Sequence, residues 1–267
     1  MNLVVNRFYQ NNQKMNKIII GSLVALSSLF SLTLPSKAAR IQVTVTNLTN
    51  NSVFSPVSSI FHDGSFDNFN LGEAASLGIE RIAEDGNGSF LNADAISSGF
   101  VAGSVGTGPI TAGVTVSGIF EVNPSLGRYF NFASMFVPSN DAFIGNDDQT
   151  EYQIFDINGK FISQIIDVPA FEIWDAGTEV NDEISPNAAI PGQSGIAGAG
   201  TTEGGVVTVH PGFTAGGNLE QLGFTSPTNL PSPVFRITIT SVPEPSTLLG
   251  LLTVGGLSLL IKRKKQN

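Results

Sequence analysis

The sequence predicts an all-β protein, an antiparallel sandwich carrying one short helix, and three observations lead there. Ile41, Val43 and Val45 alternate with Gln42, Thr44 and Thr46, and Phe235, Ile237 and Ile239 alternate with Arg236, Thr238 and Thr240. This is the period of strands with one buried face. Twenty-nine Gly and 14 Pro against 13% charged residues supply turns rather than helix interiors. Strand-like segments follow one another at irregular spacing, with no charged or low-complexity linker between them. That pattern fits one antiparallel sandwich domain over residues 40–241.

The elements are justified in chain order. Lys14 and Lys17 precede an uncharged, mostly apolar run over 18–34, followed by Pro35-Ser36-Lys37-Ala38-Ala39. This is a secretory signal layout, and cleavage after Ala38 puts the small residues Ser36 and Ala38 at both recognition positions. Residues 1–38 are therefore assigned as signal peptide, with Met15 as an alternative start. A retained anchor is the competing reading, but the run is short for a span. Strands are expected at 41–46, at 114–122, at 129–137 where the run is continuously apolar, at 206–209 and at 234–240. The segments 151–157 and 160–166 flank Asn158-Gly159, a pair that accepts the positive φ angles of a two-residue hairpin turn. Leu71, Ala74, Ala75, Ile79 and Ile82 fit a short helix over 71–83 that ends near Asp85-Gly86. The Gly-rich stretch 192–205 reads as a long loop.

At the carboxyl end, Val242-Pro243-Glu244-Pro245-Ser246 leads into an uncharged stretch over 247–261 and then Lys262-Arg263-Lys264-Lys265. As a helix, 246–261 would measure roughly 24 Å, enough to cross a bilayer with snorkelling lysines. Pro243-Glu244-Pro245 cannot continue that helix and leaves an extended peptide at the outer face. The tripartite tail over 242–267 resembles the PEP-CTERM sorting signal of bacterial exported proteins. That resemblance implies an exosortase-type enzyme that reads Pro243, Glu244 and Pro245 and removes the transmembrane helix. An ordinary tail anchor is the plainer alternative.

Charge excludes one class of partner. Five basic residues face 21 acidic ones over 40–242, a net charge of −16. Such a surface repels nucleic acid and anionic lipid. The chain contains no Cys, so disulfides, thiol nucleophiles and Cys-type metal sites are absent.

Catalytic templates do not fit. Gly192-Gln193-Ser194-Gly195-Ile196 has its second Gly one position early for a nucleophile elbow. Around Asp156 the EF-hand positions fall on Ile154 and Ile165, so the hairpin reading is preferred. His62 and His210 are too few for a zinc site and read as structural. Gly106-Thr107-Gly108 lacks the third Gly of a dinucleotide fingerprint. A carboxylate pair doing glycosidase chemistry stays open on composition alone.

One constellation stands apart. The stretch 133–145 runs Ala-Ser-Met-Phe-Val-Pro-Ser-Asn-Asp-Ala-Phe-Ile-Gly, a strand turning at Asp141, and 172–179 runs Glu-Ile-Trp-Asp-Ala-Gly-Thr-Glu around the single Trp. Gly177 permits a sharp turn that could direct Asp175 and Glu179 at one ion, and calcium accepts six to eight oxygens from loops meeting at a sandwich end. These residues resemble the spondin N-terminal domain family. That resemblance implies an eight-stranded antiparallel sandwich over most of 41–241, non-enzymatic extracellular matrix or cell-adhesion roles, and one Ca2+ held by Asp141, Asp175 and Glu179. Glu179 departs from the family's usual Asp, and its extra methylene moves the carboxylate oxygens relative to the other two acids.

The expected function is an exported, surface-sorted, calcium-binding module for an extracellular polysaccharide or a cell-surface or matrix component. Its membrane contact is limited to the carboxyl-terminal segment before processing. The alternative is an exported hydrolase acting on extracellular polysaccharide with a carboxylate pair.

Overall fold

The expected alternation builds a four-stranded antiparallel sheet. The computed structural model describes residues 38–243 except 186, 194, 195, 197 and 198. Strands β1 (Ala39–Asn47), β5 (Thr115–Val122), β8 (Gln164–Val168) and β11 (Phe235–Ser241) pair in the order β5-β1-β11-β8. Val43 lies opposite Ile239 on one side and Gly118 on the other. This register points Ile41, Val43, Val45, Ile237 and Ile239 at the core, where all are fully buried.

The second sheet is larger. It contains β2 (Val53–Phe54), β3 (Val57–His62), β4 (Val101–Val105), β6 (Tyr129–Val137), β7 (Ala142–Gly145), β9 (Ile173–Asp175) and β10 (Thr208–Val209). Six of them run in the order β10-β9-β7-β6-β3-β4, and β2 pairs with β6. All these pairings are antiparallel. One face packs on the four-stranded sheet; the other is covered by α1 (Leu77–Asp85) and α2 (Ser89–Ser97). Burial on both faces explains why β6 reads as a continuous apolar run rather than an alternating one. Eight phenylalanines are fully buried, and seven of them lie between the two sheets. At about 1.5–3 kcal/mol for each side chain of this size, that layer is the main source of stability.

The eleven strands found among the described residues exceed the eight expected, because β2, β9 and β10 are two- and three-residue pairings. The helix begins at Leu77 rather than at 71, since Ser76 caps it by accepting the Ile79 amide at 3.3 Å. It ends at Gly86, which adopts a left-handed conformation with φ 64°. A second helix, α2, was not expected.

The hairpin forms, but through a different turn. Asn158 has negative φ and only Gly159 is left-handed (φ 75°), while the Asp156 amide donates to the Lys160 carbonyl at 3.0 Å. This is a three-residue loop with a bulge at Gly159, not a two-residue turn. Asp156 selects it by accepting the Asn158 and Lys160 amides, each at 2.8 Å. The arm over 151–157 makes isolated bridges, Tyr129 to Gln153 and Phe155 to Phe161, instead of a strand. Among the described residues no helix is long and apolar enough to cross a membrane. The expected span over 247–261 and the signal peptide fall outside the described residues, Ala38 excepted.

Candidate metal centre and the adjoining acidic cleft

Asp141 immediately precedes β7 and Asp175 closes β9, and the β7–β9 register sets Ala142 opposite Asp175 and Phe143 opposite Trp174. Pairing therefore brings together two acids that lie 34 positions apart in the chain. The Trp174 indole reinforces the pairing by donating to the Gly145 carbonyl at 2.7 Å, and the Ala176 amide donates to the Asp141 carbonyl at 3.1 Å.

The Asp141 side chain is fully buried. Its Oδ2 accepts the Thr178 amide at 2.7 Å, the Glu179 amide at 3.0 Å and the Thr178 hydroxyl at 3.2 Å. Its Oδ1 is buried with no partner. Burial, with the Asp175 charge beside it, pushes the Asp141 carboxyl up to about 6. Asp175 directs Oδ1 at the Gly177 amide (2.8 Å) and Oδ2 at the Asn181 amide group. Gly177 is left-handed at φ 66°, and a Cβ there would stand 2.6 Å from the Val206 backbone nitrogen and oxygen. The expected sharp turn is real, and so is a close backbone approach that only glycine tolerates.

Glu179 contributes its amide to Asp141, but its carboxylate is engaged elsewhere. Oε1 accepts the Gly200 amide at 3.0 Å, and the side chain lines a cleft of about 310 Å³ that it shares with Glu80, Arg81, Glu84 and Thr178. Burial and the neighbouring Glu84 charge push Glu179 up to about 7. Burial also raises Glu84. Arg81 is spread over Glu80 (2.8 Å), Asp85 (3.3 Å) and Glu84 (3.5 Å).

Of the three predicted ligands, the fold thus joins Asp141 and Asp175 and turns the Glu179 carboxylate toward Glu84. Among the described residues no three His, Asp or Glu side chains stand close enough to hold one ion. The two aspartates nevertheless fit a hard cation, because an ionised pair with an orphaned buried oxygen lacks a counter-charge and one coordination partner.

Glu84, Asn181 and Gly200 were not assigned to the site from the sequence, since each meets it only through tertiary pairing. His210 is buried near Asp175 and Glu183; burial lowers its pKa, and its Nδ1 accepts the Gly212 amide at 3.0 Å. His62 sits among Phe66, Phe100 and Tyr129, and burial lowers its pKa too.

Fold and site define a β-sandwich domain with an acidic centre at the junction of β7 and β9. The Spondin_N family model matches residues 46–197, more than half of the chain, and includes all three acids. The chain belongs to the spondin N-terminal domain family. The match covers most of 41–241, as the resemblance implies, and ends before β10 and β11. The PEP-CTERM protein-sorting motif matches residues 241–264. The protein is accordingly exported and sorted to the cell surface, and its tail is the substrate of an exosortase-type processing enzyme. No curated protein matches the chain.

Proposed function

We propose that the domain is a non-enzymatic, calcium-binding adhesion or matrix module that takes an extracellular polysaccharide or a cell-surface component as partner. The observation that supports it most is the Asp141–Asp175 pair, with Asp141 Oδ1 buried and without a partner. Asp141 and Asp175 seat the ion, and Glu179, the third acid that the family resemblance assigns, joins them by releasing the Gly200 amide that its carboxylate holds. Bound calcium would supply the missing counter-charge and fix the 175–183 loop relative to β7.

The test is thermal unfolding with calcium and with chelator. A ligand of the folded state alone stabilises by about 2.7 kcal/mol at a free concentration one hundred times its dissociation constant. Asp175→Ala should remove most of the calcium increment, Glu179→Gln a smaller part, and Asp156→Ala none. A full calcium shift in Asp175→Ala would place the ion elsewhere.

A second reading has its own observation. The cleft holds a pair of titratable carboxyls, Glu84 and Glu179, and burial raises Glu179 to about 7, the acid of raised pKa that a hydrolase with a carboxylate pair needs as proton donor. Polysaccharide hydrolysis by the exported protein that disappears in both Glu84→Gln and Glu179→Gln would favour that reading over the adhesion module.

A further inference from the structure

The outer face of the four-stranded sheet differs from the rest of this acidic domain. Among the described residues no helix covers it, and its strands present their outward positions to solvent. The pairing register lays those positions out in rows across all four strands. One row is Ser117, Thr44, Thr238 and Ile165; the next is Thr115, Thr46, Arg236 and Asp167. Strands sit about 4.8 Å apart, so each row extends roughly 14 Å, and rows follow at about 6.8 Å along the strands.

The charges on this face cancel. Its outward charged positions are Arg40, Glu121, Arg236 and Asp167. Arg40 donates to Glu121 at 2.9 Å, and Arg236 forks onto both oxygens of Asp167, at 2.8 Å through Nη2. Two of the five basic residues in the segment 40–242 are thereby spent on neutralising this one surface, while the domain as a whole carries −16. Hydroxyls dominate the remainder, with Thr46 and Thr115 hydroxyls bonded at 2.9 Å. The exposed large apolar groups are Ile119 and Ile165, and no aromatic side chain points outward from these strands.

We propose that this face is the docking platform for a neutral, hydroxyl-rich polysaccharide, an inference that rests on the binding-module reading and names its surface and substrate class. A protein partner would be expected to find aromatic or Arg anchors in a desolvated centre, and this face has neither: its arginines are already engaged by carboxylates. A small ligand needs concavity, whereas the face is an open sheet. An anionic polymer is repelled by the surrounding charge. A neutral polysaccharide meets no such repulsion and exchanges hydroxyl hydrogen bonds with the Thr and Ser rows.

The test uses the processed protein recovered from its exporting host, with depletion isotherms on cellulose, agarose and dextran gel and, for contrast, on alginate. Thr238→Glu should weaken binding to the neutral polymer about tenfold. Arg236→Gln, which strands the Asp167 charge on the face, should weaken it about fivefold. The double variant Asp167→Asn/Arg236→Gln, neutral again, should recover to within about twofold. Ser97→Glu, on α2, should leave binding unchanged, and circular dichroism confirms that each variant is folded.

Neutral-polymer binding that survives Thr238→Glu and Arg236→Gln but fails in Asp175→Ala overturns the face while leaving the module reading intact. Absence of binding to every neutral polymer, or binding to alginate only, overturns the choice of substrate. A concentration-dependent dimer that Thr238→Glu dissociates would show instead that the face joins two copies of the chain.

Discussion

The two regions that carry acids solve the same electrostatic problem in opposite ways. On the outer face of the four-stranded sheet every carboxylate has an arginine, both partners are wet, and the pairs add little stability in either direction. At the β7–β9 junction Asp141 is buried beside Asp175 and held only by amides and a hydroxyl, and burial pushes its pKa upward, as it does that of Glu179. The first region should therefore be indifferent to divalent ions and, above about pH 4 where its carboxylates are ionised, to pH. The second stores a destabilising repulsion that protons or a metal can relieve.

The largest expected effect sharpens this contrast through two left-handed glycines. At Gly177 an added Cβ meets the Val206 backbone at 2.6 Å, and backbone cannot swing aside. Gly177→Ala should cost about 3 kcal/mol or more and should abolish the calcium increment, because the Asp175 turn is displaced. At Gly159, in the hairpin, the same Cβ meets only Pro124 Cβ at 3.4 Å. Gly159→Ala should cost about 1 kcal/mol, from φ strain alone, and keep the calcium response. Equal losses in denaturant titrations would show that the junction is not the rigid turn described above.

The next effect follows from the acidities. Asp141 is raised from an unfolded value of 3.8 to about 6. A carboxyl raised by folding contributes stability that is fully present below its unfolded pKa and is lost as pH rises through its folded pKa. In chelator, the protein should therefore lose stability between about pH 4 and pH 7, by an amount on the order of 3 kcal/mol from Asp141. Calcium should counter that loss most strongly at the upper end, where it no longer competes with protons. Asp141→Asn keeps an oxygen for the Thr178 and Glu179 amides but carries no charge, so it should flatten the pH profile and remove the calcium shift together. A profile that stays steep in Asp141→Asn would assign the titration to Glu179 instead.

The same contrast explains what could be read from the sequence. The four-stranded sheet has one wet face, so β1 and β11 display their alternation and their buried residues follow directly. The central sheet is buried on both faces, and its strands show no alternation: β3 reads Val-Ser-Ser-Ile-Phe-His because Ser58, Ser59 and His62 are buried polar residues. The helix α2 escaped notice because its apolar residues form no one-sided stripe. For the site, the chain pattern offered the acids and the turn at Gly177, while their grouping came from family resemblance. The hydrogen bond of Glu179 with Gly200 and its place beside Glu84 in one cleft depend on β-pairing and loop packing over long separations, and nothing local encodes them.

The smallest expected effect tests the quiet side of the comparison. Thr46 and Thr115 share a hydroxyl hydrogen bond on the solvated face, and water can replace it on either partner. Valine matches threonine in shape and strand preference, so Thr46→Val removes the hydrogen bond with little change in packing. The change in unfolding free energy should stay within about 0.5 kcal/mol, as for surface substitutions that disturb no buried group. It should also be the same at pH 5 and pH 8, with calcium or chelator, because no carboxylate lies in that hydrogen bond. A loss above about 1 kcal/mol, or one that depends on calcium, would mean that the hydroxyl rows are coupled to the acidic junction through the core, and the two regions could no longer be treated as independent.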